Sequence, residues 1–219
     1  MRIACLHTAD SNIAIFETAA AEFGLAQDAL RHVVRPELLL DAEKAGGLTP
    51  AIAEATGALL LSLGEDADAV LLTCSTLGPS IDAAMARSRV PMLRADAALA
   101  DAAVDAGGKV VVLCAAGTTV APTTALFEQA AQRTGARVDV RLVAGAWALF
   151  GQGDAQRYAT SIADAATAAY AAGADSVALA QASMAPAARL GAGRRPFTSP
   201  VAGLRAALAA MSGRANVLR

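Results

Sequence analysis

The sequence predicts an α/β protein made of two similar lobes, each built on a largely parallel sheet. Three observations carry this. Short apolar runs alternate with alanine-rich segments at helical spacing, glycines close most of those segments, and motifs of the first half return 107 residues later.

The elements follow in order. Apolar runs predict strands over 2–7, 30–34, 69–73, 90–93, 109–114, 138–143 and 175–180. Between them, helices are expected over 12–23, 36–45, 50–63, 79–88, 96–106, 122–134, 154–172, 184–190 and 200–212. Gly24, Gly46, Gly64, Gly107, Gly135, Gly173 and Gly213 stand where those helices should stop. Thr49 followed by Pro50 reads as an N-cap with proline at the first helical position. The repeat pairs Ala67-Asp68-Ala69-Val70 with Ala174-Asp175-Ser176-Val177. Pro79 with Pro186, Arg2 with Lys109, Leu6 with Leu113 and Ser11 with Thr118 fall at the same offset. The expected lobes are 1–95 and 96–219, with the C-terminal helix able to pack back on the first.

Composition narrows the function. With 55% hydrophobic and 17% charged residues the chain is globular rather than disordered. A net charge of −2 and no basic run exclude the phosphate neutralisation that nucleic-acid binding needs. The uncharged stretch 110–127 is interrupted by Gly117, Pro122 and four threonines, so it reads as strand, loop and helix and no membrane association is expected. Met1-Arg2 leads straight into a strand, with Asp10 and Glu17 following and no signal-peptide cleavage pattern, from which a cytoplasmic location is expected. Three cysteines without C-x-x-C spacing predict neither a disulfide framework nor a zinc site. Neither a Walker phosphate loop nor a G-x-G-x-x-G fingerprint is present, so no nucleotide cofactor is expected.

In open α/β sheets ligands bind beyond the carboxyl ends of the strands. If the lobes are duplicates, loops 7–12, 74–78, 114–120 and 181–185 occupy corresponding places, and a cleft between the two sets of loops is the expected site. Cys74 follows an apolar strand and precedes a helix start, where backbone N–H groups favour a thiolate; Ser75 and Thr76 add hydroxyl donors. The competing reading makes Cys74 a small buried hydrophobe in a tight turn. Cys5 and Cys114 read as core. Gly117, Thr118 and Thr119 form either an anion-binding loop or an ordinary helix cap. His7, at the end of the first strand beside Ser11 and Asn12, is either a proton carrier or a structural histidine, whereas His32 reads as structural, with no partner visible.

Several of these segments together resemble the aspartate/glutamate/hydantoin racemase superfamily, which includes arylmalonate decarboxylase and maleate isomerase. They are LHTADSN, RPELLLDAEKAGGLTPAI, LLTCSTLGP, GTTVAPT, LAQASM and TSP at 198–200. The resemblance implies two α/β lobes and cofactor-free proton transfer by two cysteines at a carbon beside a carboxylate or carbonyl of a small substrate. It also implies a homodimer. Cys74 matches the first cysteine; Gln181 stands where the second belongs, and the repeat offset gives the same pairing. An amide has no useful acid–base pKa. What remains is a racemase or isomerase with Cys74 as its acid/base and His7 as a stand-in donor. Ser11, Asn12, Ser75, Thr76, Thr118, Thr119, Gln181 and Ser183 would bind the small carboxylate substrate. The alternatives are a single-cysteine decarboxylase of malonate-like acids and a non-catalytic small-carboxylate binder.

Overall fold

The computed structural model describes residues 1–191 and 193–217, and its contacts divide them into two compact units. One contains residues 1–96 with those from 200 onward; the other is 97–199.

The first unit runs β1 (Ile3–His7), α1 (Ser11–Glu22), β2 (Leu30–Val34), α2 (Pro36–Lys44), α3 (Pro50–Leu63) and β3 (Ala69–Leu72). A 3-10 turn at Gly78–Ser80, α4 (Ile81–Met85) and β4 (Met92–Arg94) complete it, and α5 (Ala95–Val104) leads out. The second holds β5 (Lys109–Cys114), a 3-10 turn at Gly117–Thr119, α6 (Val120–Ala131), β6 (Arg137–Leu142), α7 (Ala146–Gly151) and α8 (Ala155–Ala171). It ends with β7 (Ser176–Leu179), a 3-10 segment at Ala182–Arg189 and β8 (Phe197–Thr198), before α9 (Ser199–Val217) returns to the first unit.

The sheets have one topology. Their strand orders are β2-β1-β3-β4 and β6-β5-β7-β8, and every pairing is parallel. The repeat extends to register: Ile3 pairs with Ala69, and 107 residues on Val110 pairs with Ser176. Individual bonds repeat too. Asp68 Oδ2 accepts the backbone N–H of Arg2 at 2.7 Å, and Asp175 Oδ2 accepts that of Lys109 at 2.7 Å. Gly108 makes room for the second of these, because its φ is +73° and a Cβ there would overlap the Asp175 carboxylate.

Each unit has its own core. In the first, Leu6, Val70 and Leu72 of the sheet pack with Leu38, Leu60 and Leu63 of α2 and α3. In the second, Val111, Leu113, Val177 and Leu179 pack with Tyr158, Ile162 and Ala166 of α8. Each such leucine or isoleucine contributes about 1.5–3 kcal/mol on burial. Thr49 caps α3 as its sequence predicts, its side chain accepting from the Ile52 N–H at 3.3 Å.

Some elements differ from the sequence reading. The helix expected over 79–88 is a 3-10 turn and a five-residue helix, and the one expected over 184–190 is 3-10 throughout, with Pro186 inside it. A proline there removes an N–H donor and blocks the α-helical ladder. Six-residue α7 and two-residue β8 are too short to show a periodicity. Gly213 does not stop α9, which continues to Val217. Among the described residues, no helix is long and apolar enough to cross a membrane.

Candidate active site

In the first unit the strand-end loops carry Cys74. It follows β3, is half-buried, and packs at the edge of the core that contains Leu60, Leu72 and Leu77. All three cysteines are free, and Cys5 and Cys114 are fully buried, so Cys74 is the one with an exposed face. Ser75 and Thr76 beside it are half-buried, Ser11 is exposed and Asn12 is 8% exposed, both in the first turn of α1. The helix start expected to favour the thiolate is a 3-10 turn, with too little aligned backbone for a strong dipole. A group the sequence did not single out covers Gly78, at the end of loop 74–78. The Arg94 guanidinium, at the end of β4, lies so close over Gly78 that a Cβ there would overlap it. Asp96 holds it in a bidentate pair, Nε to Oδ1 at 3.0 Å and Nη2 to Oδ2 at 2.7 Å. The strand-end rule, applied to β4 as it was to β1 and β3, points to Arg94.

His7 is not a free proton carrier. It is fully buried, and both ring nitrogens are engaged: Nδ1 with Thr73 Oγ1 at 2.9 Å and Nε2 with His32 Nδ1 at 2.8 Å. Burial, with a smaller contribution from His32, pushes its pKa down to about 3, so the ring stays neutral. His32 is not solitary either, since its Nε2 lies 2.8 Å from Glu17 Oε1. The signal for this pair was available once two predicted strands were set in register, which places His32 opposite Cys5.

In the second unit, Gln181 follows β7. Its Oε1 accepts the Ala115 N–H at 2.8 Å, and its amide nitrogen donates to Thr119 Oγ1. Thr119 in turn donates to Ala116 O at 2.7 Å, whereas Thr118 is exposed. Ser183 is bonded to the Tyr158 hydroxyl at 2.9 Å; burial raises the Tyr158 pKa, partly offset by that bond. Burial also raises the Cys114 pKa, against hydrogen bonds from Thr123 and Thr119.

A parallel α/β chain with a half-exposed thiol at a strand end is matched by the family model described as Asp/Glu/Hydantoin racemase, over residues 9–207. The chain belongs to that family. It is thus a racemase- or isomerase-type protein. Among solved structures, a glutamate racemase isoform from Bacillus anthracis is similar at 13% identity, covering 97% of this chain and 82% of that one, with a TM-score of 0.68. The aspartate racemase of Picrophilus torridus matches at 13% identity over 97% and 95%, TM-score 0.67. An allantoin racemase from Klebsiella pneumoniae matches at 15% identity over 98% and 89%, TM-score 0.67. At such identities the likeness is one of fold. No curated protein matches the chain.

Proposed function

We propose that this family member moves a proton with the Cys74 thiol at a carbon beside a carboxylate or carbonyl of a small amino-acid-like substrate. The supporting observation is that Cys74 alone among the cysteines combines exposure with a strand-end position. A thiol is a competent acid and base near neutral pH, and the removed proton leaves an enolate whose charge needs donors. Ser11, Asn12, Ser75 and Thr76 supply donors in the first unit; Thr118, Thr119, Gln181 and Ser183 are the second unit's corresponding set.

Gln181 sets the stereochemistry in this reading. It stands where two-thiol racemases of the family resemblance carry their second cysteine, and its amide is tied to Ala115 and Thr119. With one thiol, proton transfer occurs on one face. The same chemistry serves a decarboxylase, in which Cys74 protonates the enolate left by loss of carbon dioxide from a malonate-like acid. Gln181 favours keeping that second reaction. Incubation with amino acids, hydantoins and malonates, followed by mass spectrometry of deuterium uptake from D2O, tests the proposal. Turnover that vanishes in Cys74→Ser supports it, and turnover that survives removes Cys74 from the chemistry.

A further inference from the structure

We propose that Cys5, His7 and His32 form a binding site for one divalent ion of the zinc type, separate from the chemistry assigned to Cys74. No C-x-x-C or H-x-x-x-H spacing announces it, because the ligands come from two strands of a parallel pair.

The geometry comes from register. Cys5 and His7 alternate on β1 and so share a face of the sheet, and His32 of β2 stands directly opposite Cys5. One ligand atom from each, the Cys5 sulfur and one ring nitrogen of each histidine, lies within 4.8 Å of the other two. Thiolate and imidazole are the donors zinc prefers, and three protein ligands with a fourth open position is an established zinc arrangement.

The surrounding hydrogen bonds are those of metal-bound histidines. A ligating imidazole donates its other N–H to an oxygen, which sets the tautomer and ring orientation. His7 Nδ1 has Thr73 Oγ1 at 2.9 Å, and Thr73 Oγ1 is itself 3.0 Å from Leu6 O, so it can donate there and accept from His7. His32 Nε2 has the Glu17 carboxylate at 2.8 Å. With both outer N–H groups so placed, His7 Nε2 and His32 Nδ1 turn lone pairs toward one another. An ion between them, with a small outward shift of the rings, satisfies both. Binding displaces the Cys5 Sγ proton and the proton that bridges His7 Nε2 and His32 Nδ1, and leaves each ring neutral with its remaining proton on the outer nitrogen. The resulting thiolate and the adjacent Glu17 carboxylate balance the two positive charges. His32 is 12% and Glu17 36% exposed, which marks the side from which an ion enters.

The second unit is an internal control. At the positions that register and the repeat make equivalent, Cys5 becomes Val112, His7 becomes Cys114 and His32 becomes Val140. Glu17 and Thr73 become Thr124 and Ala180. The same scaffold therefore needs none of these polar groups for packing, and the first unit carries the ligands and their outer partners together.

The test uses the full chain, stripped with a chelator under reducing conditions and titrated with Zn2+ and with Co2+ as its spectroscopic substitute. One ion per chain is expected, with a dissociation constant below about 1 µM for zinc. The Co2+ form should show a thiolate-to-cobalt charge-transfer band that Cys5→Ser abolishes and Cys74→Ser and Cys114→Ser retain. Glu17→Gln, which keeps every ligand, should weaken zinc binding about 10- to 100-fold. X-ray absorption of the zinc-loaded wild type needs no variant to fold, and should give one sulfur at about 2.3 Å and two nitrogens at about 2.0 Å. A shell without sulfur, a charge-transfer band that survives Cys5→Ser, or zinc binding weaker than that limit overturns the site and leaves a hydrogen-bonded histidine pair. None of these outcomes depends on turnover, so the site and the proposed reaction stand or fall separately.

Discussion

Gln181 Oε1 accepts the backbone N–H of Ala115 at 2.8 Å, so this side chain ties the end of β7 to the loop after β5. The bond gives Gln181 a structural duty that a cysteine cannot perform. Gln181→Cys should lower stability by about 1–3 kcal/mol, the cost of leaving a part-buried N–H unsatisfied. Urea denaturation of the two proteins measures it; unchanged stability would mean the bond contributes nothing.

Thiol reactivity should follow exposure. Cys74 is half-buried, whereas Cys5 and Cys114 are fully buried, and burial, aided by Glu17, pushes the Cys5 pKa up to about 12. Under native conditions at neutral pH, iodoacetamide should modify Cys74 well before the other two, as peptide mass spectrometry will show. Equal labelling would return Cys74 to the core.

The repeated carboxylate bonds give a paired prediction. Asp68→Ala and Asp175→Ala each remove an acceptor from a backbone N–H, of Arg2 and Lys109 respectively. Each should cost about 0.5–2 kcal/mol, and because the sites lie in different units the double mutant should cost their sum. Thermal melts of the four proteins decide this, and a strongly asymmetric pair would mean that the repeated geometry is not a repeated energy.

Alkaline stability should depend on Tyr158. Its pKa is raised by burial, so the unfolded chain releases the phenolic proton first. Its contribution is therefore intact below the ordinary tyrosine pKa of about 10 and is lost as pH climbs toward the folded value. At neutral pH Tyr158→Phe should cost up to about 1.5 kcal/mol for the lost Ser183 bond. Above about pH 10 that difference should shrink or reverse, and denaturation curves at the two pH values check the sign.

How far the sequence could be read depended on range. Strands such as Lys109–Cys114 and the two-unit repeat were legible because burial on both faces of a parallel sheet writes continuous apolar runs. The place of Cys74 after β3 followed from the same runs. What could not be read was pairing. His32 has no meaning until β2 lies beside β1, Arg94 none until its guanidinium covers Gly78, and the Tyr158–Ser183 bond joins residues 25 apart in sequence. His7 was legible in position but not in state, since its neutrality comes from burial that only the folded sheet supplies.

The most direct measurement is the stereochemistry of proton exchange. A single enantiomer of any substrate the enzyme accepts is incubated in D2O, and deuterium uptake and enantiomeric ratio are followed together. One-face chemistry at Cys74 predicts that uptake outruns inversion in the wild type, that both vanish in Cys74→Ser, and that Gln181→Cys raises inversion relative to uptake. Inversion in the wild type that keeps pace with uptake at about 1 s⁻¹ or faster would contradict the account, because a competent donor would then act on the opposite face.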